Sequence, residues 1–412
     1  MIEPIRDRRS AEWLALISRN DSGNPHATLA NASVYLQHDP EAAGLLRYNR
    51  FADHVSLTRP PPAPWRGAPP SPGPYPRALN DADLNLLQSW LNNRAIRVGV
   101  QIVSQAVDIV ARANPYHPIQ EWLAGLKWDG VSRLDSWLHH AYGAEQSEFH
   151  SEIGMRFLVA AVRRIMQPGC KFDSILVLEG PQSLGKSRSI PALFGAEYTA
   201  DDMPDLRRPD APMALSGVWC MEISELGALV RAENEIVKAF LSRPVDKFRA
   251  PYARTFQIVP RQSVMIGTTN EKDYLRDTTG NRRYWPCLCT RVDIDWITEN
   301  REQLFAEAYA LYQAGTATWL DNDATDTLKE LNEERMPEDP WESTVLQYLD
   351  GLGRTALYVR VPTIMEEVLM IPAERRNRGT EMRIGNILRR AGWSRKLTYI
   401  GAIRIRAWFR PE

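Results

Sequence analysis

The sequence predicts an α/β fold built on a parallel sheet, and three observations carry that expectation. Between about Cys170 and Arg291, short apolar runs alternate with amphipathic stretches, as parallel strands joined by crossover helices require. One of those runs, Ser174 to Glu179, leads directly into a glycine-rich loop. That loop, Gly180-Pro181-Gln182-Ser183-Leu184-Gly185-Lys186-Ser187, reads G-x-x-x-x-G-K-S and passes into a helix-compatible stretch from Ser187 to Leu193. Strand, loop and helix in that order is the setting in which the pattern makes a phosphate cradle, the P-loop.

The flanking elements follow in chain order. Residues 1–58 read as a helical N-terminal region, with Glu41 to Tyr48 one helical piece despite Gly44. Residues 59–78 hold Arg59-Pro60-Pro61-Pro62-Ala63-Pro64-Trp65, then Pro69, Pro70, Pro72, Pro74 and Pro76. That density excludes helix and central strand and predicts an extended linker or surface loop. Residues 79–166 return to helical spacing. Leu84, Leu87, Trp90 and Leu91 follow a cap at Asp81 or Asp83, and Ile102, Ala106, Ile109 and Val110 mark a helix from Val100 to Ala113. Ile153 to Met166 leads into the sheet. His117, in a proline-flanked turn with no second His or Cys nearby in sequence, reads as a structural hydrogen-bonding group.

Residues 167–330 make the P-loop unit, closed by an amphipathic helix from Ile294 to Gly315. Over 331–344, Glu333, Glu334, Glu338, Asp339 and Glu342 with Pro337 and Pro340 predict an exposed acidic linker. Residues 345–412 are basic. Between Glu374 and Arg410 eleven Arg and Lys residues face two acids, a local excess of nine positive charges. Helices at Val361 to Leu369 and Glu381 to Ala391, then a two-stranded wing from Trp393 to Trp408 turning near Gly401, predict a small winged-helix-like unit. Alternation along its last strand sets Arg404, Arg406, Trp408 and Arg410 on one face.

Bulk properties narrow the function. The chain has 412 residues and a net charge of -1, so any nucleic-acid surface must be local. Cys170, Cys220, Cys287 and Cys289 contain no C-x-x-C pair and read as free thiols in a reducing cytoplasm. No signal-peptide core opens the chain, and no run approaches the ~18 apolar residues of a membrane span.

Chemistry gathers around the loop. Its amides and the positive end of the following helix bind phosphate, Lys186 reaches the β- and γ-phosphates, and Ser187 sits on Mg²⁺. Gly180, Gln182, Ser183, Leu184 and Gly185 complete the nucleotide-binding loop. The run Val218 to Glu225 ends in two acids, Glu222 and Glu225. Strand residues at odd separation face opposite ways, so both serve one site only if the chain turns after Glu222. One is then the metal acid and the other the water-orienting base, and spacing does not rank them. A third run, Ser263 to Thr268, ends in Thr269-Asn270, whose amide either contacts a γ-phosphate or water or merely makes a turn. Arg282 and Arg283, beside a glycine turn, suit an arginine finger or surface ion pairs.

These motifs together resemble the virulence-associated protein E family, ATPases of phages, prophages and other mobile elements similar to superfamily 3 helicases of the AAA+ class. The likeness rests on the P-loop, Glu222 and Glu225, Thr269-Asn270 and Gly280-Asn281-Arg282-Arg283-Tyr284-Trp285-Pro286. It extends through Asn114 to Pro118, Trp128 to Gly130, Pro168 to Lys171, Lys238 to Ser242 and Asp246 to Tyr252. It implies Lys186 and Ser187 as the Walker A pair, with ATP and Mg²⁺ as ligands. It favours Glu225 as the metal-side acid while leaving Glu222 open, and makes Asn270 the polar sensor. It implies Lys238 as a basic sensor and Arg282 or Arg283 as the finger, both acting across a subunit interface. It implies a strand-gripping hairpin over Asp246 to Pro260 with Lys247, Arg249, Tyr252 and Arg254. Relatives often carry a primase-polymerase module upstream; too few residues and no acidic pair precede the ATPase unit here. The expected activity is that of a homo-hexameric DNA helicase on single-stranded and forked DNA. It would work in the cytoplasm of a bacterial host, with a separate primase or other replication proteins and no membrane partner. The alternative is a nucleotide-switched DNA-binding or defence-related ATPase that does not unwind.

Overall fold

The computed structural model describes residues 12–65, 67–249, 256–275, 280–337, 339–352, 357–400 and 403–410, without the side chains of 227–234, 398–400 and 403–405. Strands β1 (Leu46–Asn49), β2 (His54–Leu57), β3 (Arg77–Ala78) and β4 (Pro115–Tyr116) form one small sheet in the order β3-β2-β1-β4. Helices α1 (Leu29–His38), α2 (Asp81–Asn93) and α3 (Val100–Ala113) share a core with it, in which Leu36, Leu46, Leu57, Trp90, Val103 and Val107 are buried. Two expectations are corrected here. Glu41 to Tyr48 is not a helix: Gly44 takes a left-handed conformation (φ 74°) and the chain then enters β1. Residues 12–58 are not a separate helical region: they carry β1 and β2, and the proline-rich stretch is a loop rather than a linker, joining β2 to β3 within one sheet. Arg77 closes that long loop onto buried Asp83 with two hydrogen bonds of 2.6 and 2.7 Å.

Helices α4 (Pro118–Gly125), α5 (Trp137–Tyr142) and α6 (Glu148–Met166) lead to the second sheet. His117 caps α4 by accepting from the Gln120 amide, and its Nε2 meets Gln262 Oε1 at 2.7 Å, the structural role its setting predicts.

The second sheet contains β5 (Ile175–Glu179), β6 (Thr199–Ala200), β7 (Cys220–Ile223), β10 (Val264–Thr269) and β11 (Tyr284–Leu288). Its order is β11-β5-β10-β7-β6, and every pair is parallel. Both faces are covered, which explains the unbroken apolar runs. Leu176 and Leu178 pack towards α6, α7 (Lys186–Phe194) and α9 (Ile294–Gln313) through Phe157, Phe194 and Phe305. Ile175 and Val177 pack on the opposite side with Leu226, Val237 and Phe240 of α8 (Leu226–Leu241).

A two-stranded hairpin, β8 (Val245–Phe248) with β9 (Gln257–Pro260), is inserted between α8 and β10. A buried ion pair anchors its base: Arg261 reaches Asp246 at 2.6 and 2.9 Å and lies over the Phe240 ring. Helix α10 (Asn322–Glu334) then returns to the sheet, so the acidic stretch begins as helix rather than linker. Arg335 at its end makes a bidentate pair with Glu179, the last residue of β5, with one contact of 2.7 Å.

The C-terminal unit contains α11 (Glu342–Gly351), β12 (Tyr358–Val359) and α12 (Val361–Thr363), which runs into a π-helical turn at Ile364–Val368. Helix α13 (Arg378–Arg390) follows, then β13 (Ser394–Ile400) and β14 (Ile403–Phe409), with sheet order β12-β14-β13. Gly401, where the wing was expected to turn, lies outside the described residues. The basic excess is partly cancelled: Asp339 pairs with Arg383 at 2.6 Å and Glu342 with Arg390 at 2.8 Å. Trp408 does not join a solvent-facing cationic row. It is buried, and its ring fits against Gly385 of α13, where a methyl group would come within 3.2 Å. Among the described residues no helix is long and apolar enough to cross a membrane.

Two stability predictions follow from these contacts. Arg335→Met strands the Glu179 carboxylate in a buried site and costs about 3 kcal/mol by urea denaturation, much of it recovered in Arg335→Met/Glu179→Gln; an unchanged midpoint contradicts the role given to the pair. Burial holds the His54, His117 and His150 imidazoles below their ordinary range. The unfolded chain therefore binds more protons as pH falls through about 6.5, and stability present above that value is lost below it. The denaturation midpoint should drop between about pH 7.5 and 5.5; a flat profile would refute this.

Candidate functional site

Parallel strands deliver their following loops to one end of a sheet, and a ligand cleft is expected there. A cleft of about 520 Å³ lies at that end. Its walls are Gln182 to Arg188 after β5, Ser224 and Glu225 after β7, and Thr268 to Asn270 at the end of β10. The loop cannot be built from ordinary residues. Gly180 has φ 139°, and a methyl group there would stand 2.7 Å from the Cys289 carbonyl oxygen; Gly185 has φ 99°. The Gly180 amide donates to the Thr269 carbonyl at 3.2 Å, tying the loop to the tip of β10.

Lys186 opens α7 and is buried. Its ammonium donates to the Gly180 and Pro181 carbonyls, both at 2.7 Å. Burial pushes its pKa below the ordinary lysine range, and the nearby Glu222 opposes that shift. Glu222, within β7, is also buried. One of its carboxylate oxygens accepts from Ser187 Oγ at 2.6 Å and from Thr268 Oγ1 at 2.8 Å. Glu225 has a different setting. The chain does turn after β7, and Glu225 sits exposed in a left-handed conformation (φ 51°) as the N-cap of α8. Asn270, just after β10, is also exposed and lines the cleft.

These residues fit a magnesium–triphosphate ligand. The cleft has the volume of a small-molecule site, a nine-residue helix N-terminus points into its loop, and a hydroxyl–carboxylate pair stands beside it. Among the described residues no cluster of three or more His, Cys, Asp or Glu could hold a metal. Magnesium, which keeps several waters and binds one or two carboxylates plus substrate phosphate, does not need one. The sequence reading missed Thr268, which fixes Glu222, and Arg188, which places a cation on the rim. Thr268 sits at the end of an apolar run directly before the residues singled out, and that position was its only signal.

Lys238, Arg282 and Arg283 lie elsewhere. Lys238 is thirteen residues along α8 from Glu225, about 20 Å at 1.5 Å per residue. Arg283 precedes Tyr284, which pairs with Ile175 at the start of β5, about 16 Å of strand from Gly180. The two meet each other: a methyl group on Gly280 would lie 2.9 Å from both Lys238 Cε and Arg283 Nη1. Arg283 is committed to Asp173 at 3.2 Å and Ser242 at 3.3 Å, and Lys238 to Glu235 at 3.2 Å. Arg282 is exposed and has no hydrogen-bond or ion-pair partner among the described residues. One chain therefore brings Lys186, Ser187, Glu222, Glu225 and Asn270 together at one end of its sheet, and holds Lys238, Arg282 and Arg283 at the other.

On the hairpin, Lys247 and Arg249 are exposed, while Tyr252 and Arg254 lie outside the described residues. Lys247 lies over the ring of Phe256 at 5.3 Å, and Phe256 and Ile258 are 65% and 68% exposed.

Curated proteins give no significant sequence match. Among solved structures, an A-form apo structure of the NrS-1 C-terminal region (305–718) has 12% identity and a TM-score of 0.46. The match covers 89% of this chain and 96% of that one. A second apo structure of the region has 11% identity and a TM-score of 0.42 over the same shares. The model of the virulence-associated protein E-like domain matches residues 123–337. With more than half of its length matched by that model, the chain belongs to the virulence-associated protein E-like family.

Proposed function

We propose that the chain is an ATP-driven DNA helicase or translocase, working as a ring of identical copies in the replication of a phage, prophage or other mobile element. The separation of its candidate residues carries this reading. A P-loop at one end of the sheet and, at the other, an arginine without a partner among the described residues complete each other only between two copies. A head-to-tail contact of that kind, repeated, closes into a ring; a hexamer is the expected size.

In this reading Lys186 and the loop amides bind the triphosphate. Ser187 and Glu222, already 2.6 Å apart, hold magnesium, which when bound would neutralise phosphate charge. That hydrogen bond supports Glu222 over Glu225 as the metal-side acid, against the preference the family resemblance implied. Glu225, exposed in the cleft lining, orients the attacking water, with Asn270 on the same cleft as the polar sensor. Arg282 suits the finger better than Arg283, which Asp173 and Ser242 already occupy.

The hairpin supports a contact to single-stranded DNA that does not depend on sequence. Lys247 and Arg249 suit phosphates, and the exposed Phe256 suits a base. In the C-terminal unit, the helices and the β13–β14 ribbon support the winged-helix reading. Its exposed Arg375, Arg378, Arg395 and Lys396, without acid partners among the described residues, suit a duplex backbone.

Lys186→Ala should abolish ATP hydrolysis and separation of a labelled forked duplex while leaving the circular dichroism spectrum unchanged. A Lys186→Ala protein that still unwinds refutes the assignment. Hydrolysis without strand separation in the unmodified protein would favour a nucleotide-switched DNA-binding ATPase. Mixing Lys186→Ala with Arg282→Ala in equal amounts should restore about a quarter of the normal hydrolysis rate, because random head-to-tail contacts pair one intact half-site of each kind about one time in four.

A further inference from the structure

A cleft of about 490 Å³ separates the sheet-bearing unit from α13, and its walls include Arg282, Asn332, Glu333, Met336, Arg389 and Arg390. The cations on it are not equivalent. Arg390 is neutralised by Glu342, and Arg383, further back on the same helix, by Asp339. Arg389 donates to the Asn386 side-chain oxygen at 2.9 Å and has no acid partner among the described residues, and neither has Arg282. The lining acid is Glu333, which is exposed. Asn332 is 3% exposed and donates to the Asn281 and Tyr284 carbonyls at 2.8 and 3.2 Å, fixing the backbone on both sides of Arg282. Its own Oδ1 is buried without a partner among the described residues.

Two guanidinium groups facing one cleft with too little carboxylate repel each other until an outside anion arrives, and their planar fork matches phosphate. The chain's own P-loop is at the far end of the sheet, so its own nucleotide does not reach this cleft. A second copy brings one. Resting on the shared-site reading above, we propose that the C-terminal unit takes part in the nucleotide site: Arg389 stands beside Arg282 on the wall that receives the neighbouring copy's triphosphate. Arg389 is rooted in the helix that buries Trp408 against Gly385, so nucleotide at an interface pulls on the unit that carries the exposed basic surface. Occupancy is thereby linked to the position of that surface.

The test uses full-length Arg389→Ala and Arg389→Lys, with equal thermal melting confirming that both fold. Arg389→Ala should keep its affinity for a fluorescent ATP analogue and lose about tenfold in kcat. In sedimentation velocity with magnesium and a non-hydrolysable ATP analogue, it should need about tenfold more protein to assemble. Arg389→Lys, which keeps the charge but not the fork, should fall between. Equal mixtures with Lys186→Ala separate the levels of the argument. Rescue of hydrolysis by both Arg282→Ala and Arg389→Ala supports the proposal. Rescue with Arg282→Ala alone overturns it and leaves the shared site standing. Rescue with neither overturns both. Loss of DNA affinity with unchanged assembly and hydrolysis would make Arg389 a nucleic-acid contact and overturn the proposal as well.

Discussion

The parallel pairing of β10 between β5, which leads into the glycine-rich loop, and β7, which carries Glu222, is the constraint on which the candidate site depends. Its register sets Thr269 opposite Glu179 and Ile266 opposite both Leu176 and Glu222. Two consequences follow within a few residues. The Thr269 carbonyl holds the first glycine of the loop, and the Thr268 hydroxyl holds the carboxylate of Glu222. A slip of one residue would turn Thr268 to the other face of the sheet and release Glu222 from one of its two hydroxyl partners. The Arg335–Glu179 pair holds the same end of the sheet, where β5 ends and the glycine-rich loop begins.

The same sheet keeps Lys238, Arg282 and Arg283 away from that cleft. Helix α8, capped by Glu225, runs from the cleft to the side of Gly280 and the hairpin base, and so connects the cleft with Lys238 and the Asp246–Arg261 pair. A sheet with the glycine-rich loop at one end and the Arg282 and Arg283 guanidinium groups at the other does not bring the two together within one chain. On the proposed function, association between copies is the route by which its two ends would complement each other. The hairpin and α13 are both anchored near the cationic end, so both lie where a change at that contact would be felt.

Much of the site was legible because its determinants are local. The G-x-x-x-x-G-K-S loop, the acids after an apolar run and the amide at a strand tip are each set by a few consecutive residues. What was not legible depends on distant partners. β1 and β2 are too short for periodicity to separate them from helix, and they pair with β3, at the end of the proline-rich stretch, and with β4, far beyond it. Nothing near Glu179 in sequence announces Arg335. The basic count near the C-terminus overstated the free charge, because Asp339 and Glu342 reach across to Arg383 and Arg390. Trp408 alternates with arginines along its strand yet is buried, because Gly385 on a different element makes room for its ring. The choice between Glu222 and Glu225 was open to sequence spacing, and a pair of hydroxyl groups from two other elements bears on it.

The central claim is that one chain carries two half-sites which act only between copies. Turnover per chain, measured against chain concentration across the range in which sedimentation shows copies associating, tests it most directly. The account predicts a rate per chain that vanishes with the monomer at low concentration and rises to a plateau with assembly. A rate per chain that stays constant down to fully dissociated monomer would contradict it.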